Sequence, residues 1–417
     1  MSISHRSKKP QAAISTLLLA LSLGFAAAAA VAATACGGGG AAQQGTPTPP
    51  VVHAPGTKSE EDESARQALV KAAGKLLEAR VLHTATLLSD GRVLVAGGRG
   101  PGTMSMPGPP IGSAEIFDPA EGEWASIPAL SKGRETHAAV LLQDGRAMII
   151  GGRGPSAFLA STEFYDPATG AWTPGPDMAR GRSGHTATVL PDGRVLVVAG
   201  KIALYLDDSE LYDPKTNAWS PAGKLTNKRA FHAAALLPDG KVLVTGGKQA
   251  GKFAIAQVEL YDPTTNSWRG LPDMSSPRQA HTATLLPDGR VLIVGGYGLD
   301  ELPQDTAEFF DPTTNTWSSA AALANPRADH SATLLPDGRL LIAGGIGEFT
   351  QTEIFDPASD TWSSAGDLNK ARFMHSSVLL TDGRVMVTGG FEGGQTGDKS
   401  RSVEVWDPAS ATWVTVE

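Results

Sequence analysis

Short runs of apolar residues, separated by turn-forming residues, follow one another from about residue 80 to the end of the chain. In one such stretch, His281 to Leu286 mixes small polar and apolar residues, and Val291 to Val294 is apolar throughout. Pro287-Asp288-Gly289 lies between them; because proline presets φ and glycine supplies a positive φ, the pattern predicts a hairpin. Thr306 to Phe310 and Thr316 to Ser319 flank an Asp-Pro turn and predict a second hairpin. The unit is four short antiparallel strands.

This unit occurs seven times with nearly invariant internal spacing. Each copy has Arg-x-x-His, Asp-Gly seven residues after the His, Gly-Gly seven after that Asp, and then Glu-x-x-Asp-Pro with a Trp nine after the Glu. The stretch between the second glycine and the Glu is the one that changes length. The repeated Arg, His and Trp residues are Arg80, His83, Trp124, Arg134, His137, Trp172, Arg182, His185, Trp219, Arg229, His232, Trp268, Arg278, His281, Trp317, Arg327, His330, Trp362, Arg372, His375 and Trp413.

The repeat resembles that of the kelch superfamily. The features that carry the resemblance are Gly-Gly at the end of the second strand, an aromatic-Asp-Pro turn as at Tyr165, a Trp six residues after that Asp, and a mean period of about 49 residues. Repeat 3 departs with Ala199-Gly200, and repeat 7 has Trp406 where the others have Tyr or Phe. The resemblance covers about four fifths of the chain and implies an all-β fold, a seven-bladed propeller of four-stranded antiparallel blades.

The start of the repeat region predicts how the ring closes. Residues 72–80 resemble residues 221–229, which lead from one repeat into the next. We therefore expect this N-terminal segment to continue from the C-terminal strand, Thr412 to Val416, in the way that each connection leads from one blade into the next. Residues Ser64 to Leu76 also fit a short helix, because their apolar positions recur at helical spacing.

The first residues have the composition of an export signal. Residues 1–35 begin with basic residues, continue through an apolar run, and end in Ala33-Thr34-Ala35 before Cys36, which is the single cysteine of the chain. The site resembles the lipobox of bacterial lipoproteins and implies lipidation of Cys36, although Ala33 stands where that motif usually has Leu. Release after ordinary cleavage and an uncleaved membrane span are the alternatives. Residues 36–63 predict a flexible tether, and residues 64–417 the propeller.

Composition limits the classes of partner. The net charge of −8 and the lack of a basic stripe with interleaved aromatics exclude nucleic acid as an expected partner. Equivalent histidines on separate blades are held apart by whole sheets, so they predict no metal site. We expect Arg and His to hydrogen-bond backbone near the start of each inner strand, the repeated Glu to pair with the repeated Arg, and Trp to pack between blades.

No local signature of catalysis stands out, and we predict neither a catalytic site nor a cofactor. The superfamily that the repeats resemble includes galactose oxidase, whose copper is held by two Tyr and two His, with one Tyr crosslinked to Cys. No cysteine lies within these repeats, so we expect no copper site of that kind. A sialidase-like site would need an arginine triad and a Tyr nucleophile, yet each blade's Arg is the repeat Arg. The G-x-S-x-G motif of serine hydrolases is absent as well.

The variable loops predict where a ligand binds. The Asp-Gly and Asp-Pro turns belong to one face of the ring and the variable loops to the other, here called the variable face. The residue after Gly-Gly is basic in repeats 1 to 4 and apolar in repeats 5 to 7, and the resemblance implies that the residues between Arg and His face a central pocket. The candidate ligand-binding residues are Arg99, Arg153, Lys201, Lys248, Tyr297, Phe391, Phe231, Asp329 and Phe373. A basic half facing an apolar and acidic half suits an anionic segment beside an aromatic or sugar ring. Accidental polarity of solvated loop ends is the alternative.

These observations predict an exported, membrane-anchored, monomeric binding module that faces the periplasm or the cell surface from the outer or cytoplasmic membrane, or else is secreted. Its partner is an extracellular or envelope protein, peptide or glycan, and we expect truncation of Phe373 or Arg153 to weaken binding without changing stability. The rival hypothesis is a carbohydrate-acting enzyme, for which Asp329 with Tyr205 and Tyr297 is the candidate cluster. A rigid surface scaffold is a third possibility.

Overall fold

The computed structural model describes residues 74–103, 108–347, 349–393 and 399–416. The predicted leader, Cys36 and the tether lie outside these residues, as does the possible helix apart from its last three residues. The described residues form thirty β-strands and no helix. None of them belongs to a helix long and apolar enough to cross a membrane.

Each repeat forms one antiparallel sheet of four strands, numbered in chain order from the central channel outwards. Blade 1 has β1 (Thr84–Leu87), β2 (Val93–Ala96), β3 (Ala114–Asp118) and β4 (Glu123–Ile127); blade 2 has β5 (Ala138–Leu141), β6 (Ala147–Ile150), β7 (Thr162–Asp166) and β8 (Ala171–Pro174); blade 3 has β9 (Thr186–Val189), β10 (Val195–Val198), β11 (Leu206–Asp213) and β12 (Ala218–Arg229); blade 4 has β13 (Ala233–Leu236), β14 (Val242–Thr245), β15 (Val258–Asp262) and β16 (Ser267–Leu271). Blade 5 has β17 (Thr282–Leu285), β18 (Val291–Val294), β19 (Ala307–Asp311) and β20 (Thr316–Ala320); blade 6 has β21 (Ser331–Leu334), β22 (Leu340–Ala343), β23 (Gln351–Asp356) and β24 (Thr361–Asp367); blade 7 has β26 (Ser376–Leu379), β27 (Val385–Thr388), β29 (Val403–Asp407) and β30 (Thr412–Val416), with β25 (Arg372–Phe373) and β28 (Phe391–Glu392) pairing as a short extra ribbon.

The seven sheets form a closed ring around a central axis. The first strands of neighbouring blades contact one another all the way round, including β26 against β1. The second strands are buried along their whole length, and the outermost strands are mostly exposed. Apolar clusters fill the space between blades; one of them joins Val93 and Val95 of blade 1 to Val403 and Val405 of blade 7. Burial of these faces drives closure of the ring, and the predicted seven-bladed propeller is confirmed.

The N-terminal segment closes the ring as the sequence predicts. The Leu76 amide donates a hydrogen bond of 2.9 Å to the Arg401 carbonyl, which is the contact that the Leu130 amide makes with Gly112 between blades 1 and 2. Leu76 is completely buried in the cluster between blades 7 and 1. A buried apolar residue occupies the same position, four residues before the repeated Arg, in every blade; the seven are Leu76, Leu130, Met178, Leu225, Met274, Leu323 and Leu368.

The repeated Arg and Glu form the expected ion pair in all seven blades. In blade 5, Arg278 Nη2 lies 2.8 Å from Glu308 Oε1, and its Nη1 donates to the carbonyls of Gly295 and Thr306 at 2.7 and 3.2 Å. Glu308 also accepts a hydrogen bond of 2.9 Å from the Ser275 amide. Each pair therefore fastens the end of the second strand to the start of the third and to the connection from the preceding blade.

The repeated histidines correct one expectation, because the partner that most of them share is a side-chain hydroxyl, whereas an interaction with backbone is found at His137 and His185. In six blades Nε2 lies 2.8–3.1 Å from a hydroxyl of the preceding blade. That hydroxyl stands on the first strand, as Thr84 does for His137, or on the second, as Thr245 does for His281. Position 233, at the start of β13, lies directly opposite Thr245, so the two strands offer alternative places for the same partner.

Blade 2 lacks this hydroxyl, and the deficiency can be tested. Ala138 and Ile150 occupy both places, so His185 interacts with the Ile150 backbone in geometry too poor to satisfy either ring nitrogen among the described residues. Because a buried unsatisfied polar group costs about 1 to 3 kcal/mol, we expect Ala138→Ser to raise the free energy of unfolding by about 1 kcal/mol. The control is Ala233→Ser, since His281 already bonds to Thr245. Denaturant unfolding that shows equal stabilisation by both variants would contradict this explanation.

The tryptophans join neighbouring blades as predicted. The Trp268 ring lies 5.2 Å from the Tyr261 ring in its own blade, and its Nε1 donates to the Ala222 carbonyl of blade 3 at 2.9 Å. In blade 7 the repeated Trp413 donates to Thr352 Oγ1 of blade 6 at 2.9 Å, and Trp406, the departure from the repeat pattern, donates to the Ala365 carbonyl of the same blade at 2.9 Å. The larger aromatic residue thus adds a second tryptophan contact between blades 6 and 7.

Candidate ligand-binding site

The constant turns lie together on one face, as the strand order predicts. Arg92, in the Asp-Gly turn of blade 1, donates to the Pro167 carbonyl in the Asp-Pro turn of blade 2 at 2.9 Å. Arg194 and the Pro263 carbonyl make the equivalent contact between blades 3 and 4 at 3.4 Å. The variable loops therefore emerge on the opposite face.

The two sets of predicted ligand-binding positions meet in pairs around the axis. The residue after the repeated Arg is hydrogen-bonded to the residue after Gly-Gly; the Ser183 amide, for example, donates to the Lys201 carbonyl at 3.0 Å and the Lys201 amide donates back at 2.8 Å. These pairs define the channel mouth: Val81 with Arg99, Glu135 with Arg153, Ser183 with Lys201, Ala230 with Lys248, Gln279 with Tyr297, Ala328 with Ile346, and Phe373 with Phe391. Every blade contributes one pair to a single ring of side chains.

A closed ring of backbone hydrogen bonds, here called the backbone girdle, lies beside the channel mouth. The second residue after each repeated Arg donates its amide hydrogen to the carbonyl of its counterpart in the preceding blade, at 2.9–3.3 Å. All seven have a left-handed φ between 49° and 61°. The members are Leu82, Thr136, Gly184, Phe231, Ala280, Asp329 and Met374. Because left-handed φ is uncommon outside glycine, the girdle holds strained backbone in place through bonds between blades.

The basic half of the mouth is a cluster of five cations, Arg99, Arg153, Lys201, Lys248 and Lys399, around Glu135; it is here called the basic sector. Arg99 pairs with Glu135 through two nitrogens, and Glu135 is 2% exposed. Burial, with the charges of Lys248 and Arg153, lowers the pKa of Lys201 to about 8. Burial and the charge of Arg99 lower the pKa of Lys399 to about 8. Lys399 was absent from the predicted set because it stands in a loop of variable length.

The other half of the mouth is apolar and tightly packed. The Phe373 and Phe391 rings stack at 5.3 Å, and they share one cluster with Phe231, Tyr297 and Met374. The expectation that truncation of Phe373 spares stability is wrong, since its side chain is completely buried and its loss would leave a cavity. Arg153, in contrast, is exposed, as the expectation requires.

The cluster on which the enzyme hypothesis depends is partly assembled. Tyr297 Oη donates to Asp329 Oδ2 at 3.0 Å, and Tyr205 packs against the same apolar cluster. Burial raises the pKa of Asp329 to about 7, whereas burial and Asp329 raise the pKa of Tyr297 well above 10. Tyr297 is therefore a neutral phenol at ordinary pH, unsuited to act as a nucleophile, and Asp329 is the group that exchanges a proton near neutrality.

The residues present do not fit a copper site of the galactose oxidase kind. The repeated histidines lie in separate contacts between blades, and six of them are engaged by hydroxyls. Within the described ranges, no three His, Cys, Asp or Glu side chains are grouped as metal ligands would be. The propeller sequence also has no cysteine to crosslink to a tyrosine.

Comparison with known proteins agrees with this architecture. Residues 220–390 match the KLHDC2/KLHL20/DRC7 Kelch-repeats domain, and residues 136–179 and 372–417 match the Kelch motif. Among solved structures, a fungal alcohol oxidase of the AA5 family in complex with copper is 20% identical with a TM-score of 0.63, over 80% of this chain and 75% of that one. YjhT is 18% identical with a TM-score of 0.55, over 70% of this chain and 99% of its own. A search of curated proteins gave no match.

At these identities the two structures show a shared fold and not a shared activity. The family matches rest on the repeat, whose Gly-Gly, Arg-Glu and Trp positions form the blade contacts described above. The chain is a kelch-repeat β-propeller protein.

Proposed function

We propose that this protein is an exported, membrane-anchored interaction module that binds an anionic segment of a protein, peptide or glycan partner at the channel mouth. The observation that carries the proposal is the division of the mouth, where the basic sector of blades 1 to 4 and Lys399 faces the buried aromatic side chains of blades 5 to 7. The residues that hold the blades together are of the same type in each repeat. The residues at the mouth, in contrast, differ from blade to blade. Variation confined to one ring of side chains suits specific recognition.

Export and anchoring rest on the first 36 residues alone. A basic start, an apolar run and Cys36 after Ala33-Thr34-Ala35 support secretion with a lipid on the Cys36 thiol. A tether of the length of residues 36–63 would let the propeller present its channel mouth away from the membrane surface.

A carbohydrate-acting enzyme is the second candidate, favoured by the contact between Asp329 and Tyr297. A buried carboxyl whose pKa is about 7 suits a proton donor. In this case glycans offered to the protein would be cleaved or rearranged, so product analysis separates it from simple binding.

The direct test offers arrays of envelope peptides and glycans to the full-length mature protein. We expect Arg153→Ala to weaken a bound partner about tenfold, because a hydrogen bond to a charged group contributes about 1.5 to 3 kcal/mol. Lys215→Ala is the matched control, since Lys215 is an exposed cation in the Asp-Pro turn of blade 3 on the constant face. Both variants should keep the unfolding temperature of the parent. Equal loss of binding in both, or no bound partner at all, would reject the channel mouth as a recognition site.

A further inference from the structure

Three leucines on the variable loops expose most or about half of their apolar side chains. Among the described residues, five large apolar side chains are more than a third exposed: Leu77, Leu204, Leu299, Leu302 and Val414. Leu204 belongs to the loop of blade 3, whereas Leu299 and Leu302 belong to that of blade 5, with exposed fractions of 68%, 61% and 46%. A single exposed leucine is common on a protein surface. Three of them on one face, beside the channel mouth, point to a surface that a partner covers.

The turns that carry these leucines are held by their own hydrogen bonds. The Leu302 amide donates to Asp300 Oδ1 at 3.1 Å, and Glu301, which lies between them, has a left-handed φ of 64°. In blade 3, the Leu204 carbonyl accepts a hydrogen bond of 2.9 Å from the Ile202 amide. Both turns, one of them with strained backbone, therefore present their leucines in a fixed position, which reduces the conformational entropy that binding costs.

Half-buried aromatic side chains continue this surface between the two loops. Tyr205 follows Leu204 in blade 3, and Phe253 stands in the loop of blade 4. Both pack against the buried cluster of the channel mouth, where the Phe253 ring meets the Tyr297 ring edge-on at 6.2 Å. The three leucines and these two aromatic residues are here called the apolar rim, which extends over blades 3 to 5: Leu204, Tyr205, Phe253, Leu299 and Leu302.

The chemistry of the apolar rim favours a protein side chain over a sugar. A leucine side chain has no hydrogen-bonding group and no flat face on which a sugar ring could stack, so it contributes to binding through burial against apolar groups. Exposed charges flank the rim. Asp300 and Asp305 lie on the loop of blade 5, and Lys252 lies on that of blade 4. A complementary partner therefore has a basic residue over blade 5 and its anionic segment towards blade 4.

We propose that the apolar rim docks a protein partner through a bulky apolar side chain that has a lysine or arginine beside it. The inference rests on the proposed function and specifies that the partner is a polypeptide and not a glycan. The apolar side chain lies between the loops of blades 3 and 5, and the basic residue lies over Asp305. The anionic segment of the same partner then extends to the basic sector.

Selection from a random-peptide library displayed on phage, with the full-length protein as bait, tests the assignment. We expect the recovered peptides to share a Leu, Ile, Phe or Trp beside a Lys or Arg. Calorimetric titration with synthetic copies of these peptides then measures their affinities. Leu204→Ser and Leu299→Ser should each weaken binding about tenfold, because each removes an apolar side chain that the peptide buries. The matched control is Val414→Ser, on the outermost strand of blade 7, which should leave the affinity unchanged.

A charge reversal tests the place of the basic residue. With Asp305→Lys as bait, the recovered peptides should have an acidic residue where the parent selects a basic one and should keep their apolar residue. Lys215→Glu, on the constant face, should leave the selected sequences unchanged.

The outcomes separate this inference from the proposed function. Recovered peptides that lack a bulky apolar residue, or that bind the leucine variants as tightly as the parent, would overturn the inference. A glycan or peptide that needs Arg153 but ignores the leucine variants would leave the channel mouth as the binding site and remove only the apolar rim. If no peptide and no glycan binds, both proposals fail.

Discussion

Lowering the pH from 7 to 5 is expected to destabilise the propeller by about 2 kcal/mol for each of its seven repeated histidines. All seven side chains are buried, and burial lowers the pKa of His185, His330 and His375 to about 3 and that of the other four well below 6.5. In the unfolded chain each imidazole binds a proton below pH 6.5, but in the folded chain it does not. Stability is therefore lost from pH 6.5 downwards and continues to fall towards pH 3.

The buried carboxyl of Asp329 acts in the opposite direction. Its pKa is about 7 in the folded chain against 3.8 when unfolded, so the folded state binds the extra proton as the pH falls from 7 to 4. This single carboxyl offsets part of the stability that two histidines lose as the pH falls. The free energy of unfolding of the propeller therefore still decreases. Because the free energy of unfolding of a protein is about 5 to 15 kcal/mol, we expect the propeller to unfold between pH 6.5 and 5.

Denaturant unfolding at a series of pH values measures this dependence directly. The slope below pH 6 gives the number of protons taken up on unfolding, and His330→Asn should reduce that number by one. Lys215→Ala, which leaves every histidine in place, should not. A stability that stays constant from pH 7 to 5 would mean that the folded and unfolded chains take up equal numbers of protons in this range, which contradicts the lowered pKa values of the histidines.

The blade architecture could be predicted because each contact depends on a residue type that recurs at a fixed position. A Cβ on Gly97 would lie 2.8 Å from both the Arg134 carbonyl and the His137 ring, so glycine is required there and its recurrence is visible in the sequence. The Arg-Glu pair is visible for the same reason. The fold could be predicted because the same residue types recur at the same positions in seven repeats, and not because any single motif is specific.

The backbone girdle could not be predicted, because its contacts use only the main chain. Its members include Leu82, Thr136, Asp329 and Met374, which share no propensity for a left-handed φ. Bonds between blades hold that conformation, and such bonds form only when neighbouring blades pack against each other. The burial of Phe373 escaped prediction for a related reason, since the direction of a side chain at the mouth depends on the pairing of its backbone with position 391.

The hydroxyl partners of the histidines could not be predicted without the register of the strands. A hydroxyl on either of two directly opposed positions serves the next blade, so neither position is uniformly Ser or Thr along the repeats. The place of Lys399 in the basic sector could not be predicted either. Lys399 belongs to a loop of variable length in blade 7, and its Nζ donates to the Gly100 carbonyl of blade 1. Sequence spacing locates residues within a blade, whereas these contacts join different blades.

Replacing Arg278 with methionine is expected to lower the free energy of unfolding by about 3 to 5 kcal/mol, which is typical of breaking a buried ion pair from one side. The guanidinium is completely buried and bonds to Gly295, Thr306 and Glu308. Its loss leaves two carbonyls without this donor and a buried carboxylate without its cation. Arg339→Met is the control, since that arginine pairs with Asp337 where both side chains are more than a third exposed, and we expect a loss below about 1 kcal/mol.

The double variant Arg278→Met with Glu308→Gln separates charge from packing. Glutamine keeps an oxygen that can accept from the Ser275 amide, which now donates to Glu308 at 2.9 Å, but it removes the buried charge. If the unpaired carboxylate causes most of the loss, denaturant unfolding will show the double variant to be more stable than Arg278→Met alone. If the double variant is as unstable as the single one, the missing hydrogen bonds to the Gly295 and Thr306 carbonyls dominate, and the repeated arginine acts as a backbone clamp more than as an ion-pair partner.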